Sequence, residues 1–370
     1  MKGDFSFPTT VIFGAGRLAE LPQRLHALGV RRPLVVTDPG LLKSEAYRVF
    51  ERVKGTDWPV FSEVHPNPVE ADVEAGARAY RVGQCDGVVA LGGGSAMDVG
   101  KAIRLLIRRP EVPLSAFDFH ADWSGLPPLV TIPTTAGTGS EVGRSSVIIV
   151  GGEKRVIFHP ALLASLAILD PELTLGLPAT LTAATGADAL THCIESYTSP
   201  VFHPLCDGIA LEGIRLIAEA LPRAVRNGQD VEARGLMLVA AMMGGVAFQK
   251  DLGAVHSLAH PLSTICGMHH GTANALCLPV VMEFNARRKP GLYRRVGAAL
   301  GLREPTDAET IERVRGLLSE IGLGPGLSRF GVKATHLEAL TEQAYADGCH
   351  RTNPVPVTKE DLRALYEQAM

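Results

Sequence analysis

Residues 88–107 read VVALGGGSAMDVGKAIRLLI. A fully apolar run stops in Gly92, Gly93, Gly94 and Ser95, and a segment with apolar residues three to four apart follows at once. The pattern is a strand turning straight into an amphipathic helix. Glycines let the backbone approach a ligand with no Cβ in the way. The N–H groups and positive dipole end of a helix start suit a pyrophosphate. Ser95 adds an N-cap and a hydroxyl donor. A plain strand–turn–helix corner fits the same letters, so the rest of the chain must decide. Outward from this point, PLVVTD (33–38) and PLVTIPTT (128–135) are further short strand-like runs, as are RVIFHP and LAILDP within 155–171. Helical patterns lie between them at 70–82 and 96–108. Strand–helix alternation of this kind predicts a parallel sheet covered by helices.

After Pro178 the strand signals fade. Segments rich in Ala, Leu, Glu and Arg occupy 180–198, 206–226, 230–249, 252–265, 272–285, 307–321 and 335–347. The sequence therefore predicts an α/β dinucleotide-binding domain at 1–180 and an all-helical domain at 181–370. No low-complexity linker or internal repeat separates them, which favours direct packing and a site in the cleft.

Composition narrows the function class. The chain has 370 residues, 46% apolar and 20% charged, with a net charge of −3. So many apolar residues exclude intrinsic disorder, and near-neutrality argues against nucleic acid as the main ligand. None of the six cysteines forms a C-x-x-C pair, so neither a zinc ribbon nor a redox motif is visible and a reducing, cytoplasmic setting is expected. The opening MKGDFSFP lacks the apolar segment of a secretion signal. The apolar stretch 235–248 is too short to span a bilayer and reads as a buried helix.

Other residues carry chemistry. Asp38 ends an apolar strand, where a carboxylate takes a ribose hydroxyl pair and repels a 2′-phosphate, so NAD is favoured over NADP. IPTTAGTGSEV (132–142) places hydroxyls and glycines at another strand end. An earlier glycine pair, FGAGRLAEL (13–21), has Ala19 where a third glycine belongs and reads as a tight turn into a helix. Six of the twelve histidines fall between 192 and 270. Asp188 and His192 stand four apart, as do His256 and His260, so each pair shares a helix face; His269 and His270 follow. One carboxylate with three imidazoles suits Fe²⁺, Zn²⁺, Co²⁺ or Ni²⁺.

With these segments in view, the sequence resembles the iron-dependent (group III) alcohol dehydrogenase family almost end to end. The likeness runs through FGAGRLAELP, HPNPVEADV (65–73), GGGSAMDVGKAI, IPTTAGTGSEV, GADALTHCIESY, GAVHSLAHPL, HHGTANALCLP and RTNPVPVTKEDL (351–362). It implies a Rossmann-like N-terminal domain and an all-α C-terminal domain, a dehydroquinate synthase-like architecture. It also implies hydride transfer between NAD(H) and a primary alcohol/aldehyde pair, with one divalent metal, Fe²⁺ before Zn²⁺, and a homodimer. By position, the metal ligands implied are Asp188, His192, His256 and His270, and His260 stands near the nicotinamide as proton carrier. Asp38, Asn67, Gly94, Ser95, Asp98, Thr134, Thr135, Thr138 and Lys154 match the dinucleotide contacts. His269 replaces the usual proline before the last ligand histidine, which opens a swapped or extra ligand, while Ser263 and Lys250 replace a usual glycine and asparagine, changes expected to bear on the substrate pocket. Alternatives within the same fold are a metal- and NAD-dependent sugar-phosphate cyclase and a maleylacetate reductase-like enzyme; outside catalysis, a nucleotide- or metal-binding protein. The scarcity of lysines speaks against the first, the intact ligand set against the second.

Overall fold

The computed structural model describes Phe7, residues 9–118 and residues 120–370, with Glu153 by its backbone only. Most of the opening segment read above for a secretion signal lies outside the described residues. In chain order the regular elements of the first part are β1 Thr10–Phe13, α1 Leu21–Ala27, β2 Pro33–Val36, α2 Glu45–Glu51, β3 Val60–Phe61, α3 Glu70–Val82, β4 Gly87–Gly92, α4 Gly94–Arg108, β5 Leu129–Pro133, β6 Ser145–Val150, β7 Glu153–Phe158 and β8 Leu166–Leu169. Six strands form one parallel sheet in the order β1-β8-β5-β4-β2-β3. Strands β2, β4, β5 and β8 are buried along their whole length, which explains their continuous apolar sequence. Alternate residues serve opposite faces. Leu34, Val36, Val88 and Ala90 join one core with Val73, Met97 and Ile103, while Val35, Val89 and Leu91 join another with Leu21, Leu25 and Phe50.

The chain leaves β2 toward the β3 edge and returns to β4 on the other side of β2. Strand order thus reverses between β2 and β4, and ligands of open α/β sheets bind beyond the carboxyl ends of strands at such a point. The sheet departs from the sequence expectation in its members, gaining β1 and β3, which no strand-like run above had marked. RVIFHP is not a member of it; β7 pairs antiparallel with β6 in a separate two-stranded ribbon.

The remaining helices are α5 Ala179–Thr198, α6 Pro204–Arg226, α7 Val231–Ala247, α8 Ala254–Cys266, α9 His270–Arg288, α10 Arg294–Ala299, α11 Asp307–Glu320, α12 Leu337–Ala346 and α13 Lys359–Ala369. By contacts, the described residues divide into Phe7–Thr135 with Gly139–Gly176, and Leu177–Met370 with the short piece Ala136–Thr138. Helix α5 is buried nearly all round and packs against α6, α7 and α9. The segment Val231–Lys250 is long and apolar enough to cross a membrane, yet 61% of its apolar window is buried inside the protein. Its neighbours are α5 and α6, so it is a core helix here.

Helix α9 meets α5 at Gly271. A Cβ at that position would stand 1.9 Å from the Ala184 carbonyl oxygen and 2.6 Å from its carbon. Both obstacles are helix backbone, which cannot swing aside. We expect Gly271→Ala to cost about 3 kcal/mol of stability, at the upper end for an overpacked core. Denaturant unfolding measures it, and a midpoint equal to wild type would refute the close approach.

Candidate metal centre and dinucleotide loop

Asp188 and His192 lie one turn apart on α5, His256 is in the first turn of α8, and His270 opens α9. These elements aim four donors at one small volume. Asp188 Oδ1 is 3.8 Å from His192 Nε2, 3.9 Å from His256 Nε2 and 3.5 Å from His270 Nε2. The rings of His192 and His256 stack with centroids 4.8 Å apart. Asp188, His192 and His256 are buried, while the His270 side chain keeps 29% exposure and forms the accessible side of the cluster.

Electrostatics follow from this crowding. Burial works to raise the Asp188 pKa, but His192, His270 and His256, with an Asn274 N–H, outweigh it and hold the carboxylate below its ordinary range. Burial drives the His256 imidazole well below its ordinary value, with His192 beside it adding to the effect. Its Nδ1 faces Glu195 Oε2 at 2.5 Å. Burial pushes Glu195 up to about 7, against the N–H groups of Val255 and Gly253 that it accepts. Glu195 thus occupies the Nδ1 side of His256, and Nε2 faces the cluster.

Does this set fit a divalent cation? Its nitrogens and one carboxylate oxygen match borderline metals of the Fe²⁺ and Zn²⁺ kind. Asp188 Oδ1 and the Nε2 atoms of His256 and His270 are met by a single amide nitrogen, Asn274 Nδ2. Buried acceptors crowded together with so little donor supply are costly without a cation. The donor set fits.

His260, one turn beyond His256, stacks on His270 with centroids 5.2 Å apart. Its Nδ1 lies 2.8 Å from Asp347 Oδ2. The other oxygen of Asp347 accepts from Ser257 Oγ at 2.9 Å and the Cys349 N–H at 2.8 Å. Burial acts to raise the Asp347 pKa, but His260 and these donors hold it well below the carboxylate range. His260 is thus fixed by an ionised carboxylate.

The dinucleotide candidates gather at the sheet's reversal point. Gly93 caps α4 without any side-chain hydrogen bond, so the first N–H groups of that helix have no side-chain acceptor from the cap. Gly92 sits at φ +148°, which an L side chain rarely adopts. Asp38 caps the next turn through Oδ1, accepting from Gly40 and Leu41 N–H at 2.9 Å each. Its Oδ2 lies 3.7 Å from the point a Gly92 Cβ would occupy. Ser95 Oγ donates to the Pro66 carbonyl at 2.7 Å, which ties the exposed Asn67 to the helix start. Thr134 N–H donates to Gly92 O at 3.0 Å, and Thr135 Oγ1 lies 3.5 Å from where a Gly93 Cβ would stand.

Three candidates sit differently. Asp98 accepts from Ser140 Oγ at 2.9 Å and Val147 N–H at 3.2 Å, with the buried Lys101 ammonium 3.8 Å away. Its carboxylate braces the turn at 139–141 and the β6–β7 ribbon. Lys154 is exposed on β7, and Thr138 packs with the helical unit. The early FGAG turn already holds an anion. Gly16 and Leu18 N–H donate to the two oxygens of Asp170 at 3.2 and 2.9 Å.

Sequence reasoning missed three residues. Glu195 stands seven after Asp188 on α5, and Asn274 four after His270 on α9, so helical spacing could have found both. Asp347 lies 87 residues beyond His260, and no spacing rule reaches it. The departures noted above act locally. Lys250 is buried, paired with Asp207 and bonded to the Tyr197 carbonyl at 3.2 Å, so it braces the end of α5. Ser263 Oγ bonds back to Ala259 O at 3.2 Å within α8.

Comparison with known proteins identifies the family. A family model described as iron-containing alcohol dehydrogenase matches residues 8–171, and its C-terminal counterpart matches 182–370. The chain is 41% identical to 4-hydroxybutyrate dehydrogenase of Cupriavidus necator, covering 96% of both chains. Among solved structures, a 1,3-propanediol oxidoreductase superposes with a TM-score of 0.96 at 34% identity, covering 100% of each chain. A sulfoacetaldehyde reductase from Bifidobacterium kashiwanohense, solved with NAD⁺, gives 0.91 at 31% identity, covering 100% of this chain and 99% of that one. The chain belongs to the iron-containing alcohol dehydrogenase family, as a metal-dependent enzyme that interconverts alcohols and aldehydes with NAD(H).

Proposed function

We propose that Asp188, His192, His256 and His270 together hold one divalent cation, Fe²⁺ in the working enzyme, with Zn²⁺ accepted by the same donors. The observation that carries this reading is the convergence of three imidazole nitrogens within 3.9 Å of a single buried Asp188 oxygen. The bound metal supplies Lewis acidity, which lowers the pKa of a substrate alcohol and polarises an aldehyde. The nicotinamide supplies the hydride chemistry. The protein's own part is orientation and proton handling. Asp347 fixes the His260 ring through Nδ1, which leaves Nε2 to exchange a proton with the substrate oxygen. Glu195 fixes His256 in the corresponding tautomer.

In the other unit, Gly94 and Ser95 receive the pyrophosphate at the α4 start. Asp38, Asn67, Thr134 and Thr135 line the same reversal point; Asp98 acts through the turn it braces, and Thr138 and Lys154 complete the set. Asp38 makes the cofactor NAD in preference to NADP. The substrate is a short primary alcohol or aldehyde with a second polar end; the names of relatives acting on 4-hydroxybutyrate, 1,3-propanediol and sulfoacetaldehyde support this class. Cytoplasmic residence and a homodimer accompany the reading, the first from the cysteine pattern and the second from the family resemblance.

Three measurements test these assignments. Metal-stripped protein reloaded separately with Fe²⁺, Zn²⁺, Co²⁺ and Mn²⁺ should recover turnover best with Fe²⁺ on two- to four-carbon ω-substituted alcohols; equal turnover without metal refutes the centre. Asp38→Gly should raise kcat/KM for NADPH relative to NADH by about 1–3 kcal/mol in transition-state terms, through a lost charge-assisted hydrogen bond and relieved repulsion. A wild type that already prefers NADPH contradicts the assignment. Finally, His270→Ala should lose metal and activity together, whereas His269→Ala keeps the metal and shifts at most KM; elemental analysis showing the reverse would move the ligand by one residue.

A further inference from the structure

Asn274 lies on α9, one turn after His270, with no exposed surface. Its side-chain amide is aimed into the cluster. Nδ2 is 2.7 Å from Asp188 Oδ1, 3.3 Å from His256 Nε2 and 3.2 Å from His270 Nε2. The amide could in principle be turned the other way, since oxygen and nitrogen differ little in shape. Chemistry decides it. A carboxylate oxygen accepts, and the shortest of the three contacts, at 2.7 Å, is the one to Asp188 Oδ1. A carbonyl oxygen 2.7 Å from Asp188 Oδ1 would be repelled, so the nitrogen faces the cluster. The cost of that orientation is visible at the other end, where Asn274 Oδ1 is buried without a partner. An unmet buried acceptor of this kind costs free energy, so the N–H contacts must repay it.

The three contacts are not equivalent. Each imidazole Nε2 has a single lone pair, which a cation would take. A carboxylate oxygen has two, so Asp188 Oδ1 can keep the Asn274 hydrogen bond and still bind a metal. We infer that Asn274 is the positioning residue of the metal centre: it holds Asp188 by the very oxygen that faces the three imidazoles, and so fixes which lone pair the cation meets. Glu195 performs the matching task for His256 from the opposite side, through Nδ1. The inference rests on the metal reading given above, and its test separates the two.

The experiment measures Zn²⁺ affinity by competition with a chromogenic chelator, on the full chain and its variants. Groups that orient a metal ligand are typically worth 10–100-fold in metal affinity. Asn274→Leu keeps the branched shape and removes the donor, so its Zn²⁺ affinity should fall about 10–100-fold. Asn274→Ser keeps a hydroxyl donor in a smaller side chain and should recover part of the loss. NADH affinity should stay at the wild-type value in both. Zn²⁺ also raises the melting temperature of a protein that binds it only when folded. That increment should shrink in Asn274→Leu, whereas a purely structural role would lower the melting temperature equally with and without Zn²⁺. Substitution with Co²⁺ adds a spectroscopic readout, since its visible bands should change with the ligand field in Asn274→Leu. Wild-type Zn²⁺ affinity in Asn274→Leu, or a Ser variant weaker than the Leu variant, overturns the inference while leaving the metal centre intact. A wild-type chain that binds no Zn²⁺, Co²⁺ or Fe²⁺ overturns both.

Discussion

Three imidazole nitrogens lie within 3.9 Å of one Asp188 oxygen in the helical core, and the surrounding helices are arranged to tolerate them. Groups that all present lone pairs repel when buried together, so something must hold them in place. Rigid helices do so. Asp188 and His192 need one continuous helix face, which is why α5 is long and buried. His256 and His270 must then arrive from two further helices, and α9 comes close to α5 where Gly271 meets the Ala184 carbonyl. Glu195 locks the start of α8 twice over, accepting the Val255 N–H at 2.7 Å as well as the His256 ring. The polar contacts of the centre are also the contacts that assemble the helices.

The same economy governs the dinucleotide unit. The residues gathered at the sheet's reversal point are held there mainly by backbone bonds rather than by one another. Ser95 reaches Pro66, Thr134 reaches Gly92, and Asp38 caps its own turn. Such a site is stiff before any ligand arrives, so little ordering is left to be done on binding, and ordering is a main cost of association. The buried Lys101 and the half-buried Asp98 join the 139–141 turn to β6 through Ser140 and the Ser145 carbonyl.

How much of this could be read from the letters alone differs by kind of signal. β4 and α4 were legible because an apolar run, three glycines and a helical pattern follow without a break. The four central donors were legible because helices place i and i+4 on one face. β1, β3 and β6 were not. β3 has only two residues, β1 is an edge strand with alternating exposure, and β6 pairs with a ribbon partner outside the main sheet. The helix that the FGAG turn announces is α1, whereas α2, α10 and α13 carry no such signal. The first two of these are seven and six residues long, too short for a periodic pattern, and α13 follows a proline-rich tail. Asp347 shows the general limit: a partner 87 positions away is found by the fold, not by any local rule.

The turn at Gly14–Gly16 deserves a last consequence, because a chain with two glycine turns at strand ends faces a sorting problem. A mononucleotide phosphate has no intrinsic reason to prefer the α4 start over the earlier turn. Asp170, projecting from the end of β8, fills the earlier turn with the chain's own carboxylate. A tethered group competes at an effective concentration of about millimolar or higher. A soluble phosphate ester present at lower concentration loses that contest at the first turn and meets no such rival at the second. The covalent chain acts as a built-in competitive inhibitor of its own spare anion site, and so leaves the nucleotide a single register on the sheet.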